Sequence, residues 1–395
     1  MTDNRELEAL VRRQLQASWT RRGFLGRAGL AAGMLAVGPG VLAACGSDDD
    51  SEGGGDGETE RTESDTLRIS NWPLYIDAET IPAFQDETGL TVEYTEDVND
   101  NEEYFAKIRE PLSRGQDIGA DLFIVTDFLV ARLIELGWLA EYDSANVPNK
   151  ANLVDSLAHV DYDPERKYSL PWFSGFTAMA YNIDLTGEEI TTTEALFDPK
   201  YRGKVTMFSD MRDALGMVIL MDKGSLDDLT EADIQAAADR VAAAKDEGQI
   251  RRFTGNDYGD DLVAGNVAVC QAYSGDVAQL QLDNPNLRFV LPETGGLLFS
   301  DNMVMPTTTE NIVGAEKWMD FVYDPANNAR LTAEVQFIPP VQQTGEELEK
   351  IDPELAANPL INPPESEMAK AFVFPTLTEE EEVTYTDIYT QVTAS

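Results

Sequence analysis

The sequence is poor in the two residue types that most often build catalytic and metal sites. Its 395 residues include one histidine, His159, and two cysteines, Cys45 and Cys270. One histidine excludes a zinc site of the HExxH type, and no histidine-based triad is recognisable; the two distant cysteines exclude a CxxC motif. His159 has no cluster of partner residues, and we predict a surface position for it. Cys270 lies in an apolar, strand-like run and is predicted to be a small buried core residue.

Basic residues are also scarce. The chain carries 29 Lys and Arg against 72 Asp and Glu, a formal net charge of −43. Nucleic acid is therefore a poor partner, because its phosphates would be repelled by the whole surface. Small organic cations would be favoured instead. A solvated, self-repelling surface suited to a high-salt habitat explains the same balance, so charge alone does not define a site.

The N-terminus has an apolar run, but a short one. Ala28 to Val41 is rich in Gly and Ala and shorter than the about 20 strongly apolar residues of a membrane span. It follows the twin-arginine pattern TRRGFLG and ends in LAAC, which resembles a bacterial lipobox. We predict a twin-arginine signal peptide over 1–44, lipidation of Cys45 and an extracytoplasmic, membrane-anchored location, the alternative being an amphipathic N-terminal helix. Residues 45–65 are acidic, glycine-rich and of low complexity, typical of a flexible tether.

From Thr66 onward, short apolar strands alternate with helices, and the length allows two domains. This alternation predicts an α/β fold with a mostly parallel sheet. Ligands of such sheets bind outside the carboxyl ends of the strands. In the first half of the chain, that rule selects Trp72, Tyr75, Thr126, Asp127 and Phe128.

In the second half, the most informative stretch is FSDMRDALGM, residues 208–217. It reads as a strand end, a turn and the first turns of a helix, with Asp210 and Asp213 on the same side of the opening turn. Asp210 could cap the helix while Asp213 lies near its positive end. Both carboxylates could equally face an ammonium ligand, and the two interpretations are compatible.

Aromatic and acidic residues recur at two further loops. A strand ends in Tyr273-Ser-Gly-Asp276, and Phe299-Ser-Asp301 leads into another apolar run. Taken singly, each aromatic residue is more typical of a core. Their shared position after strand ends, beside Asp residues, favours a ligand-binding site. No GxGxxG or GxxxxGK phosphate loop is present.

These motifs, taken together, resemble the periplasmic polyamine-binding proteins, the spermidine/putrescine receptors of ABC importers. The matching stretches within 66–340 are SNWPLYI, ADLFIVTDFLVARL, LPWFSGFTAMAYN, FSDMRDALG, QAYSGD, GGLLFSDNMVMP and EKWMDFVYDP. The resemblance implies a type II solute-binding fold of two hinge-linked α/β lobes, with 66–173 plus 300–337 as the first lobe and 174–299 plus 338–395 as the second. It also implies a monomer that delivers its ligand to ABC permease subunits, without catalysis and without a cofactor.

Carried over by position, the resemblance implies ten ligand-binding residues. They are Trp72, Tyr75, Thr126, Phe128, Asp210, Asp213, Tyr273, Asp276, Phe299 and Asp301. Asp276 matches an acid of the putrescine-preferring branch. Three positions depart from the family pattern: Pro73-Leu74 replaces a polar or acidic pair, Tyr273 replaces a tryptophan, and Ile338 replaces a tyrosine. The family's C-terminal polar contact has no recognisable counterpart in 365–395.

Two other functions fit parts of the pattern. One is a receptor of the same fold for another solute, although an anion receptor would need basic or hydroxyl groups where this chain has carboxylates. The other is an enzyme in which Asp210 pairs with Asp213 or Asp301 to hold a metal or to act on a carbohydrate. Asp198 and the acidic run Glu379–Glu382 are expected to be solvated surface.

Overall fold

The computed structural model of the protein describes residues 62–394. The predicted signal peptide, Cys45 and most of the predicted tether lie outside the described residues. The last residues of that tether are bonded to the folded body, since the Thr62 hydroxyl donates to the Thr309 carbonyl at 3.3 Å and the Asn311 amide donates to the Ser64 carbonyl at 3.0 Å. Within 62–394, no helix combines the length and the apolar character needed to cross a bilayer.

Strands and helices alternate along most of this range. The strands are β1 (Thr66–Asn71), β2 (Thr91–Glu96), β3 (Leu122–Thr126), β4 (Leu139–Ala140), β5 (Ser169–Asn182), β6 (Val205–Phe208), β7 (Ile250–Thr254), β8 (Val269–Tyr273), β9 (Leu287–Val290), β10 (Gly296–Pro306) and β11 (Ala371–Phe372). The helices are α1 (Thr80–Thr88), α2 (Asn101–Ser113), α3 (Asp127–Glu135), α4 (Ile183–Thr186), α5 (Met211–Lys223), α6 (Glu231–Asp246), α7 (Tyr258–Val263), α8 (Ser274–Asp283), α9 (Ile312–Val322), α10 (Pro325–Val335), α11 (Thr344–Ile351), α12 (Pro353–Ala356), α13 (Glu365–Met368) and α14 (Glu379–Thr393).

The strands form a mixed sheet in the order β2-β1-β3-β10-β5-β8-β6-β7. The strands at each end of the sheet pair in parallel: β1 pairs with β2 and β3 at one end, and β6 pairs with β7 and β8 at the other. The centre is antiparallel, because β10 runs against both β3 and β5, and β5 runs against β8. The α/β prediction is confirmed, with an antiparallel centre that joins two parallel halves.

Two long central strands connect two hydrophobic cores. The first core is drawn from 67–173 and 303–341, and the second from 176–297 and 385–392. β5 and β10 pair over eight residue pairs and contribute to both cores. All fourteen residues of β5 are buried, which explains its continuous run of apolar and small residues. We call the parts of the chain around these cores the first lobe and the second lobe.

The C-terminal segment contacts both lobes. Leu348 and Ile361 pack on Ala329 of α10, in the first lobe. Beyond them, β11 pairs with the start of β10, and Tyr385 and Tyr389 of α14 enter the second core. These contacts favour a chain that re-enters the second lobe between residues 361 and 371, whereas the predicted boundary was residue 338. The lobe boundaries remain a prediction.

Two smaller predictions are confirmed. Cys270 is fully buried in the second core. His159 is exposed, and its Nδ1 lies 2.9 Å from the Pro164 carbonyl oxygen.

Candidate functional site

One cavity, lined by residues of both lobes, brings most of the predicted site residues together. Its empty volume, which includes the open mouth, is about 720 Å³. Nine of the ten predicted residues line it: Trp72, Tyr75, Thr126, Phe128, Asp213, Tyr273, Asp276, Phe299 and Asp301. Asp210 does not line this cavity. Their role in binding stays a prediction.

Asp301 is the acidic residue of the central strands. A register shift in the pairing of β10 with β5 falls between Asp301 and Asn302. The carboxylate accepts hydrogen bonds from the Tyr75 hydroxyl at 3.0 Å and from the Thr126 hydroxyl at 2.8 Å. Burial raises its pKa to about 7, against the lowering effect of these two bonds. Asp301 can therefore gain or lose a proton near neutral pH.

Asp213 supplies a second carboxylate from the first turn of α5. Its Oδ2 accepts from the Tyr273 hydroxyl at 2.9 Å, and its Oδ1 accepts from the Thr177 hydroxyl at 2.8 Å. Burial raises its pKa to about 6, although both hydroxyl groups favour the ionised form. The strand-end rule did not select Thr177, because this residue lies inside β5.

Asp276 supplies the third carboxylate, from the first turn of α8. The Tyr258 hydroxyl donates to it at 2.9 Å and accepts from the Tyr273 backbone N–H at 2.9 Å. Burial raises the pKa of Asp276 to about 7. Tyr258 was missed because strand β7 before it contains Arg251 and Arg252, which interrupt the apolar pattern of its sequence.

Aromatic rings form a continuous wall between these carboxylates. The ring centroids of Tyr273 and Phe299 are 5.3 Å apart, those of Phe299 and Phe337 6.2 Å, and those of Phe337 and Tyr75 5.0 Å. The three pairs meet edge to face, with interplanar angles of 72°, 64° and 71°. Phe337 was not predicted. It directly follows the Gln336 that ends α10, where the helical pattern stops and no strand signal begins.

Arg212 adds a cation to the lining of the cavity. It is 6% exposed, and its guanidinium carbon lies 3.9 Å from the ring centroid of Phe128 and 5.9 Å from that of Phe374. It forms an ion pair with Glu382 of α14. The prediction that the acidic run Glu379–Glu382 is solvated surface is therefore wrong for Glu382. This residue is buried because it lies on the same face of α14 as Tyr385 and Tyr389.

Asp210 acts as the cap of α5. Its Oδ1 accepts the backbone N–H groups of Arg212 at 2.8 Å and Asp213 at 3.0 Å, while its Oδ2 is buried without a partner among the described residues. Burial, together with the charge of Asp213, raises its pKa. The local sequence allowed a cap, a cation ligand or both; the cap is present, and the ligand role of Asp210 stays a prediction.

The C-terminal segment contributes apolar side chains to the cavity. Val373 and Phe374 line it, and both lie within 365–395, where the family's polar contact has no recognisable counterpart in the sequence. Ile338 does not line the cavity. Its backbone pairs with Ser174 in both directions, at 2.9 and 3.0 Å. Pro73 lines the cavity, and Leu74 is exposed with a φ of 58°.

Known proteins resemble the chain in sequence and in fold. It is 28% identical over 292 residues to a putrescine/cadaverine-binding protein of Pseudomonas aeruginosa; the aligned region covers 71% of this chain and 80% of that protein. It is 24% identical over 275 residues to spermidine/putrescine-binding periplasmic protein 1 of Haemophilus influenzae, covering 69% and 75%.

A solved structure of a putative spermidine/putrescine ABC transporter from Listeria monocytogenes matches with a TM-score of 0.75 and 28% identity, over 83% of this chain and 99% of that one. A solved structure of a spermidine/putrescine ABC transporter substrate-binding protein from Streptococcus pneumoniae matches with a TM-score of 0.68 and 24% identity, over 83% of this chain and 98% of that one. The type II solute-binding fold expected from the sequence is confirmed. The family model for bacterial extracellular solute-binding proteins matches residues 79–363. This chain therefore belongs to the bacterial extracellular solute-binding protein family.

Proposed function

We propose that this protein is an extracytoplasmic receptor that captures polyamines of the putrescine and spermidine class and delivers them to an ABC importer. One observation carries the proposal: Asp213, Asp276 and Asp301 each accept a tyrosine hydroxyl bond and face one aromatic-walled cavity. The names of the relatives, which include spermidine, putrescine and cadaverine binding, support the same ligand class.

The cavity suits the chemistry of a polyamine. Such a molecule is a methylene rod with ammonium groups, so its stem needs apolar walls and its ends need carboxylates. Hydrogen bonds to charged groups contribute about 1.5–3 kcal/mol each, and cation–π contacts about 0.5–2 kcal/mol each. After the costs of association, a few such contacts are sufficient for micromolar affinity, about −8 kcal/mol.

Binding would bridge the lobes and favour a closed state. In this proposal the closed monomer docks on the permease subunits, and a separate ATPase drives transport. Export by the twin-arginine route and a lipid on Cys45 would keep the receptor at the outer face of the membrane. The role is binding without catalysis, in line with relatives that are named for binding and transport.

A thermal-shift panel followed by titration calorimetry tests the proposal. We expect putrescine or spermidine to raise the melting temperature and to bind with micromolar or tighter affinity, whereas calcium and simple sugars leave both unchanged. Stabilisation by calcium alone would favour a metal site. Stabilisation by a sugar without a response to any amine would favour a carbohydrate ligand. Either result would overturn the proposal.

A further inference from the structure

A side chain of helix α8, in the second lobe, is bonded to the backbone of the first lobe. The Nε2 of Gln279 donates to the Val335 carbonyl at 2.8 Å and to the Leu74 carbonyl at 3.3 Å. A side-chain amide carries two N–H groups, so Gln279 can satisfy both acceptors at once. Gln279 is not among the residues that line the cavity. Its bonds are therefore contacts between the lobes rather than contacts with a ligand.

Both acceptors adjoin side chains that line the cavity. Leu74 directly precedes Tyr75, and Val335 is two residues before Phe337. Val335 is also the last residue of α10, and the last four carbonyls of a helix have no partner within the helix. The amide of Gln279 supplies a donor to this carbonyl. It thereby holds the two segments of the first lobe that carry aromatic rings of the cavity wall.

The same helix carries one of the cavity carboxylates. Gln279 lies three residues after Asp276 on α8, and residues with this spacing share a helix face. The helix also approaches the first lobe closely at its start, because a Cβ at Gly275 would overlap the ring of Phe337. The bonds of Gln279 therefore fix the position of a carboxylate of one lobe relative to aromatic rings of the other.

The backbone of Leu74 gives independent evidence that this contact is specific. Leu74 has a φ of 58°, in the left-handed region that residues with a side chain rarely adopt. Its side chain is exposed, so burial does not hold it in place. A strained conformation persists where surrounding contacts fix it. The bond from Gln279 to the Leu74 carbonyl is such a contact, and it comes from the opposite lobe.

We propose that Gln279 is a positioning residue for polyamine binding, whose amide stabilises the closed arrangement of the lobes and holds Asp276 opposite Tyr75 and Phe337. The inference rests on the proposed function. When the lobes separate, the amide and both carbonyls exchange their bonds for bonds to water. Because the ligand leaves a cleft that has to open first, the loss of these bonds acts on the dissociation rate.

Titration calorimetry and stopped-flow kinetics of the purified protein with putrescine test this assignment. The fluorescence of Trp72, which lines the cavity, provides the kinetic signal. We expect Gln279→Met, which keeps the side-chain length and removes both donors, to weaken binding about tenfold, as for the loss of two neutral hydrogen bonds. Dissociation should become faster, with the association rate within about twofold of wild type. Gln279→Glu places an anion beside the carbonyl oxygens and should weaken binding at least as much.

Gln281→Met is the matched control, because Gln281 lies on the same helix and its Nε2 donates at 2.9 Å to the Leu287 carbonyl within the second lobe. It should leave the affinity and both rates within about twofold of wild type. A Gln279→Met protein with a lower melting temperature but an unchanged dissociation rate would have lost a structural contact only, and that result would overturn the inference. Equal losses of affinity in Gln279→Met and Gln281→Met would overturn it as well. A wild-type protein that binds no amine would overturn the proposed function itself, and this inference with it.

Discussion

Lowering the pH from 8 to 6 should weaken putrescine binding strongly, because Asp213, Asp276 and Asp301 must be ionised to hold ammonium groups. Burial raises the pKa of Asp301 and of Asp276 to about 7, and that of Asp213 to about 6. The alkylammonium groups stay protonated, since their pKa is near 10, as in lysine. The pH dependence therefore comes from the protein.

The magnitude follows from the ionised fractions. For each carboxyl with a pKa of about 7, the ionised fraction falls about tenfold between pH 8 and pH 6, and for one with a pKa of about 6 it falls about twofold. If all three are ionised in the complex, the affinity falls about 200-fold. At pH 7, binding should release about one proton, because two of the groups are then half protonated.

Calorimetric titrations at constant ionic strength measure the affinity at each pH. Repeating them in two buffers with different ionisation enthalpies gives the number of protons released on binding. Asp276→Asn removes one tenfold step and should reduce the pH effect to about 20-fold. An affinity that changes less than threefold between pH 6 and 8, with the same heat in both buffers, would refute the reasoning.

The same pKa shifts affect folding. A carboxyl whose pKa is raised by folding binds its proton more tightly in the folded state, so its contribution to stability is lost as the pH rises from about 4 to about 7. The contributions of Asp301 and Asp276 should therefore make the melting temperature of the ligand-free protein lower at pH 8 than at pH 5. The stabilisation by putrescine should be larger at pH 8.

Three substitutions test other parts of the structure. Asp301→Asn should weaken putrescine binding at least tenfold in calorimetry, because a neutral amide replaces a charged acceptor. Gly255→Ala should also weaken binding: a Cβ at Gly255 would lie 2.6 Å from the carbonyl oxygen of Asn99 in the opposite lobe, and small-angle scattering should show incomplete compaction with saturating putrescine. Glu382→Gln should lower the free energy of unfolding in urea by about 3 kcal/mol, because it leaves the buried guanidinium of Arg212 without its counter-charge.

Each substitution has a control that changes the same chemistry elsewhere. Asp198→Asn at the surface should leave amine affinity unchanged. Gly345→Ala should not affect closure, since a Cβ there meets nothing within 4 Å. Glu380→Gln, at an exposed neighbour of Glu382 on α14, should not change stability. Equal effects in a variant and its control would contradict the corresponding interpretation.

Much of the fold followed from local patterns in the sequence. Short apolar strands between amphipathic helices indicate an α/β fold. The spacing of apolar residues along the sequence differs between a strand and a helix, so it shows which residues of each element are buried. The strand-end rule then selected Trp72, Tyr75, Thr126 and Phe128, all of which line the cavity. Asp210 as a helix cap is likewise a local property, because its bonds reach only two and three residues along the chain.

The side-chain hydrogen bonds and ion pairs around the cleft depend on tertiary structure. Tyr258 bonds to Asp276 across 18 residues, and Arg212 pairs with Glu382 across 170. Nothing in either local sequence specifies such a partner. The sequence by itself therefore determined the elements, the acidity and the list of residues at strand ends. Which carboxylates face the cavity, and which aromatic face is covered by Arg212, depended on how two lobes and a C-terminal helix pack, because burial and ion pairing join residues that are distant in the chain.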